Sequence, residues 1–226
     1  MKNENENLAI IVPVLNEKEN IVSFLDNIKN YVRQNKTVYL IYDHEKDNTL
    51  PIVKNNIDQY NFEILLIKNK YSGAVGALKT GFELFKENLC IVTMADCSDD
   101  LNTVSEMYNK YKEGFDIVCA SRYMKGGSQI GGGFIKSFLS KLAGKSLHFF
   151  TNIPTCDVTN NYRLYSKKFL NEIIVESKNG FEIGIELIVK GFLLNPKIIT
   201  EVPTVWHDRV LGKSKFKIFS RIPYYL

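Results

Sequence analysis

The run Asp96-Cys97-Ser98-Asp99-Asp100 puts three carboxylates within five residues, directly after the apolar segment 89–94. Carboxylates so close repel one another unless a cation sits among them. Mg2+ and Mn2+ prefer oxygen ligands, so a divalent ion bridging a diphosphate suits this cluster. For Asp99 and Asp100 a competing reading is a helix start, where Asp and Ser cap free N–H groups and acids suit the positive dipole end. Asp43 follows the apolar stretch TVYLIY, and Glu17 follows VPVLN. Asp43 can take hydrogen bonds from a ribose or base edge, or cap the next turn. Glu17 can do similar work or be a first-turn acid of a helix. Lys79, Arg122, Lys136, Arg163, Arg209 and Lys215 are the candidate phosphate contacts. Arg122 and Arg163 stand out because their surroundings are largely uncharged.

Other chemistries find less support. His44, His148 and His207 are dispersed, and the cysteines at 90, 97, 119 and 156 form no CxxC pair, which argues against a zinc site. No Ser-His-Asp set can be argued. YSGAVGALKTG contains glycines but lacks the GK[ST] ending of a triphosphate-binding loop.

The elements that must position these residues follow from hydrophobic periodicity. Continuous apolar runs at 8–14, 37–42, 62–67, 89–94 and 116–121 read as strands buried on both faces. Helical spacing appears at 17–32, 49–60, 73–87 and 103–111. Alternation of strand and helix predicts an α/β fold with a mostly parallel sheet flanked by helices. Ligands in such sheets bind outside the carboxyl ends of the strands, where Pro13–Glu17, Asp43 and Asp96–Asp100 would all fall. Beyond them lie a glycine-rich loop at 126–133, an amphipathic helix at 134–150, a helix at 179–191 and a strand at 198–206.

The 226 residues bound this to one domain, with no linker and no repeat. Hydrophobic residues make up 45% and charged residues 24%, which excludes a disordered chain. A net charge of +4 is too small to mark a nucleic-acid binder. The charge is uneven, however: residues 209–221 hold two arginines and three lysines and no acid. A basic stretch of this kind can meet phosphate on a lipid or a membrane. The cysteines suit a reduced, cytoplasmic setting. No apolar run reaches membrane-spanning length and no signal peptide is visible, so peripheral attachment at a cytoplasmic membrane face, or to a membrane-embedded partner, is expected.

Five segments in order resemble family 2 glycosyltransferases of the dolichyl-phosphate mannose synthase type: VPVLNEKENI, YSGAVGALKTGF, GFDIVCASRYMKGG, DVTNNYRLY and VPTVWHDRVLGKSKF. The resemblance runs from residue 8 to about 217. It implies a GT-A, Rossmann-like fold with a nucleotide-sugar half at about 8–122 and an acceptor-side half at about 123–226. It implies a nucleotide-diphosphate sugar donor, Mg2+ or Mn2+, and a polyprenyl-phosphate acceptor. By position, Pro13, Leu15, Glu17, Asp43 and Lys79 would hold the donor, and Asp96 the metal and diphosphate. Arg122, Lys136, Ser140, Arg209 and Lys215 would hold phosphate, with Asp96 and Arg122 carrying catalysis. Two positions depart from the family pattern: Met94 stands at the first acid of its acidic motif, where Asp99 would join Asp96 in holding the metal, and Tyr42-Asp43-His44 keeps only one of two adjacent acids at the second strand end. The rivals are a nucleotidyltransferase, disfavoured because VPVLNEKEN is no triphosphate loop, and a nucleotide-sugar-binding relative impaired in turnover.

Overall fold

The computed structural model of the chain describes residues 6–178 and 182–209, leaving aside the side chains of residues 134–137, 139 and 143. Strands β1 (Leu8–Val14), β2 (Lys36–Tyr42), β3 (Glu63–Lys68), β4 (Leu89–Val92) and β5 (Ile117–Ser121) alternate with helices α1 (Ile21–Tyr31), α2 (Thr49–Asn56), α3 (Gly73–Leu84) and α4 (Thr103–Lys112). A short strand β6 (Ser128–Ile130) and the long helix α5 (Phe134–Thr151) follow. The chain then forms β7 (Arg163–Ser166), α6 (Lys167–Glu172), α7 (Ile183–Leu194), β8 (Ile199–Pro203) and β9 (Val205–His207).

Seven strands form the main sheet in the order β3-β2-β1-β4-β7-β5-β8. All pairings are parallel except those of β7, which runs antiparallel to β4 and β5. Side chains alternate across each strand, so one sheet builds two cores. Ile10, Val12, Val38 and Leu40 pack with Phe24, Leu25 and Ile28 of α1 and Met107 of α4. On the other face Ile11, Tyr39 and Ile41 pack with Val75 and Leu78 of α3, Phe169 of α6 and Leu187 of α7. The expected α/β architecture is thus present, with helices on both faces.

Several boundaries differ from the sequence expectation for local reasons. Residues 17–20 form a hydrogen-bonded turn, with Asn20 and Ile21 N–H both donating to the Glu17 carbonyl, so α1 starts at Ile21 and Glu17 precedes it. The predicted strand at 198–206 is two strands in two sheets. At Thr204 the backbone N–H donates to Ser121 O, while its carbonyl accepts from Ser128, and the chain then pairs with β6 as β9. β7 was not predicted: its residues RLYS form no apolar run of the kind that marks β4 (LCIV). Residues 179–181, the start of the predicted helix 179–191, lie outside the described residues, as does Lys215 with the rest of the basic stretch after Arg209.

Candidate active site

The loops at the carboxyl ends of β1 and β2 are tied together by carboxylates. Asn16 takes a left-handed conformation, φ 56°, which Asn tolerates better than most residues. Its N–H donates to both oxygens of buried Asp47, at 3.1 and 3.0 Å, and Asp47 also accepts from Thr49 N–H at the start of α2. Asp43 joins β2 to α3, accepting from Asn69 Nδ2 at 2.6 Å and Gly73 N–H at 3.1 Å. Asp43 thus ties β2 to the start of α3 rather than capping the turn that follows it, and it also faces open space. A cavity of about 550 Å3 lies here, lined by Leu15, Asn16, Asp43, His44, Lys46 and Lys68 among others. Of the predicted donor-side residues, Leu15 and Asp43 line it. Pro13 sits within β1 opposite Ile41, and Glu17 accepts from Asn20 Nδ2 at 2.8 Å outside the lining. Lys79 is half-buried on α3 and outside the lining. It adds to Lys70 and Tyr71 in holding the Glu83 carboxyl below its ordinary value.

The acidic loop leaves β4 at Val92 and reverses at Cys97, φ 59°. A β-carbon-bearing residue rarely adopts that conformation, so the turn is held from outside. Two backbone links to β9 do so: His207 N–H donates to Ser98 O at 2.9 Å, and Asp99 bridges Trp206. Asp96 is thus presented beside Arg209. Its Oδ1 accepts from Ser98 N–H and Oγ, and its Oδ2 accepts from Arg209 Nη2 at 2.6 Å. Asp99 turns back on its own loop, accepting from Thr93 Oγ1 at 2.8 Å and Met94 N–H at 3.3 Å. Burial, with the Asp96 charge adding to it, pushes the Asp99 carboxyl up to about 7. Neither acid caps α4; Asp100 instead accepts from Asn102 N–H in a short turn.

Arg122 follows β5. Its Nε and Nη2 donate to the two oxygens of Asp157 at 2.7 and 2.9 Å, and Nη2 also reaches Thr159 at 3.1 Å and Ser140 at 3.4 Å. Burial alone would lower the Arg122 pKa, but the hydrogen bond and charge of Asp157 outweigh it and raise it. Ser140 reaches this cluster from α5, its Oγ 2.5 Å from Thr159 Oγ1. Lys136 shares α5 with Ser140, but its side chain lies outside those described. The sequence reading missed Asp157 as the partner of Arg122. Its signal was present, since Asp157 opens the DVTNNYRLY segment.

Arg163 is corrected. Rather than meeting phosphate, it is fully buried in β7, and its guanidinium donates to the backbone carbonyls of Gly184, Asp157 and Val158. An uncharged surrounding sequence marked a core position, not an exposed site.

Among the described residues no three His, Cys, Asp or Glu side chains group as ligands. One carboxylate, Asp96, together with diphosphate oxygens and water is nonetheless a set that Mg2+ accepts. The residues therefore fit a cation that arrives with a diphosphate, and they form no preassembled cage.

The chain is 30% identical over 172 residues to an uncharacterised glycosyltransferase of Synechocystis, covering 74% of this chain and 52% of that protein. It is 25% identical over 215 residues to a dolichol-phosphate mannosyltransferase of Pyrococcus furiosus, covering 93% of this chain and 59% of that one. The chain thus spans little more than half the length of these relatives. Among solved structures, glucosyl-3-phosphoglycerate synthase from Mycobacterium tuberculosis, in complex with Mn2+, UDP-glucose and phosphoglyceric acid, matches with a TM-score of 0.72 at 15% identity. That match covers 97% of this chain and 76% of the other and concerns the fold. The glycosyl transferase family 2 model matches residues 9–174, and with the sheet and strand-end loops described above this chain belongs to that family.

Proposed function

We propose that this chain takes a nucleotide-diphosphate sugar at the carboxyl ends of β1, β2 and β4 and transfers its sugar, of mannose or glucose type, to a polyprenyl phosphate. The observation that carries this reading is one rim with complementary parts: the cavity at Leu15 and Asp43, the Asp96 loop, and two arginines, Arg122 and Arg209. The phosphate oxygen of the acceptor forms a bond to the anomeric carbon from the face opposite the leaving group. The bond from that carbon to the nucleoside diphosphate breaks, and its electron pair leaves with the diphosphate. A phosphate is already ionised near neutral pH, so no strong general base is required. Catalysis then rests on positioning and on meeting charge at the leaving group. Asp96 would hold Mg2+ or Mn2+, which supplies positive charge to the diphosphate. Arg122, fixed by Asp157 and flanked by Ser140, would present its remaining donors to phosphate, with Lys136, Arg209 and Lys215 adding charge.

The lipid nature of the acceptor is supported by α5. Phe138, Leu142, Phe149 and Phe150 are exposed along it, beside exposed Lys141 and Lys145. An apolar ridge edged with lysines suits an anionic bilayer surface, and it lies on the helix that delivers Ser140. Peripheral attachment at a cytoplasmic membrane face fits this arrangement. No helix among the described residues is long and apolar enough to cross a membrane.

A thermal-shift screen of UDP, GDP and their sugars with Mn2+ tests donor binding, since a ligand of the folded state raises its apparent stability. Transfer to a short prenyl phosphate is expected from the ligand that binds. Asp96→Ala is expected to abolish transfer with the melting temperature retained. Near-normal activity in that variant would remove Asp96 from the reaction, and binding without turnover in the wild type would favour the impaired relative.

A further inference from the structure

Arg122 is held along one edge of its guanidinium. Nε and Nη2 donate to the two oxygens of Asp157, and Nη2 also reaches Thr159 and Ser140. The grip is firm, because Asp157 is 0% exposed and buried Arg163 fixes its backbone by donating to the carbonyls of Asp157 and Val158. Among the described residues no acceptor takes the two N–H groups of Nη1. Two hydrogen bonds along one edge define an axis, and a planar guanidinium can still tilt about it. Nη1 stands off that axis, so tilting moves it most.

The contact that opposes tilting comes from the next residue. Arg122 Cζ lies 4.8 Å from the centre of the Tyr123 ring, within range of a cation–π contact. The ring is anchored at its far end, where the Tyr123 hydroxyl donates to Gln129 Oε1 at 3.2 Å. Gln129 is fixed in turn by β6, in which it pairs with Trp206 of β9. The face of the guanidinium therefore rests on a side chain tied to a second sheet, while its edge is tied to Asp157.

We infer that Tyr123 is a positioning residue for the acceptor phosphate: its ring bears on the face of the Arg122 guanidinium, so that Nη1 is kept at one angle for a phosphate oxygen. The inference rests on the reading of Arg122 as an acceptor-phosphate contact. Charge-assisted N–H···O bonds weaken steeply as they bend. A guanidinium free to tilt would have to be ordered in each binding event, at a cost to affinity. The Tyr123 ring orders it beforehand. Phe at this position would keep the face contact and lose the anchor to Gln129, whereas Leu would supply neither.

The test measures geranyl phosphate binding to the whole chain by isothermal titration calorimetry. Arg122→Gln combined with Asp157→Asn removes both charges of the pair and strands neither, and it should bind roughly tenfold more weakly than wild type. Undiminished binding there removes Arg122 from the acceptor site and takes the role of Tyr123 with it. Tyr123→Leu should weaken binding about three- to tenfold, and Tyr123→Phe, which keeps the ring, should stay within about twofold of wild type. Equal loss in the two, or no loss in Tyr123→Leu, overturns the role of the ring and leaves the reading of Arg122 standing. Tyr123→Leu is then added to the Arg122→Gln, Asp157→Asn protein. A residue that acts through Arg122 has no further effect once Arg122 is gone. A loss there as large as in the native background marks a contact with the lipid chain or a general loosening of the site, and it overturns the inference. The comparison of Phe with Leu stands independently of that background.

Discussion

At the residue scale the Arg122–Asp157 pair makes a measurable contribution to stability. Asp157 is buried, and losing one partner of a buried pair costs about 3 kcal/mol or more. For a chain of this length that corresponds to a fall in melting temperature of roughly 6–12 °C. Asp157→Asn should show that fall by calorimetry, and it should weaken acceptor binding more than donor binding because Arg122 is released. Asp99 illustrates a different rule. Its hydrogen bonds to Thr93 and Met94 fold the loop on itself, so one of three clustered acids does structural work.

At the element scale, close approach of backbones decides where α5 sits. A β-carbon at Gly144 of α5 would run into the carbonyl oxygen of Cys156, one residue before Asp157. Gly144→Ala must push α5 off this loop, moving Ser140 relative to Arg122. A cost of about 1–3 kcal/mol and a raised KM for the phosphate acceptor are expected, measured by denaturant melts and initial rates. The segment before α7 depends on Glu186. Burial would raise its carboxyl, but hydrogen bonds from the N–H groups of Glu176 and Ser177, from Lys190 and from the Ser177 hydroxyl outweigh this and bring it to about 2. A depressed acid contributes stability that is complete above its ordinary value of 4.5 and is lost as pH falls towards 2. The stability difference between wild type and Glu186→Gln should therefore be constant near neutrality and shrink to nothing across that window, followed by melts at stepped pH.

At the scale of the whole molecule, the apolar ridge of α5 and the rim of strand-end loops are joined through Ser140. Phe149 and Phe150 are 77% and 80% exposed, and burying one such side chain contributes about 1.5–3 kcal/mol. Phe149→Asp combined with Phe150→Asp should lower binding to anionic phospholipid vesicles at least tenfold, read by co-sedimentation, with the melting temperature unchanged. Soluble-donor binding should be unaffected, because the cavity lies across the sheet at β1, β2 and β3. Unchanged vesicle binding would remove α5 from the membrane reading.

The chain by itself determined the layers, because buried strands and amphipathic helices announce themselves through local periodicity. Ile10 and Ile11 had to face opposite cores whatever lay around them. It also determined which residues fall at strand ends, so Leu15, Asp43, Asp96 and Arg122 were legible as a set. Only the tertiary structure decided what each one touches. Asp43 is held by Asn69 and Gly73, Arg122 by Asp157, and Asp96 by a residue 113 positions away. It placed β7 antiparallel between β4 and β5 and buried Arg163 there, which the mixed run RLYS could not signal. The reason is the range of the forces. Periodicity records burial against water, which each segment feels alone, whereas a carboxylate takes whichever donor the rest of the fold brings within 3 Å of it.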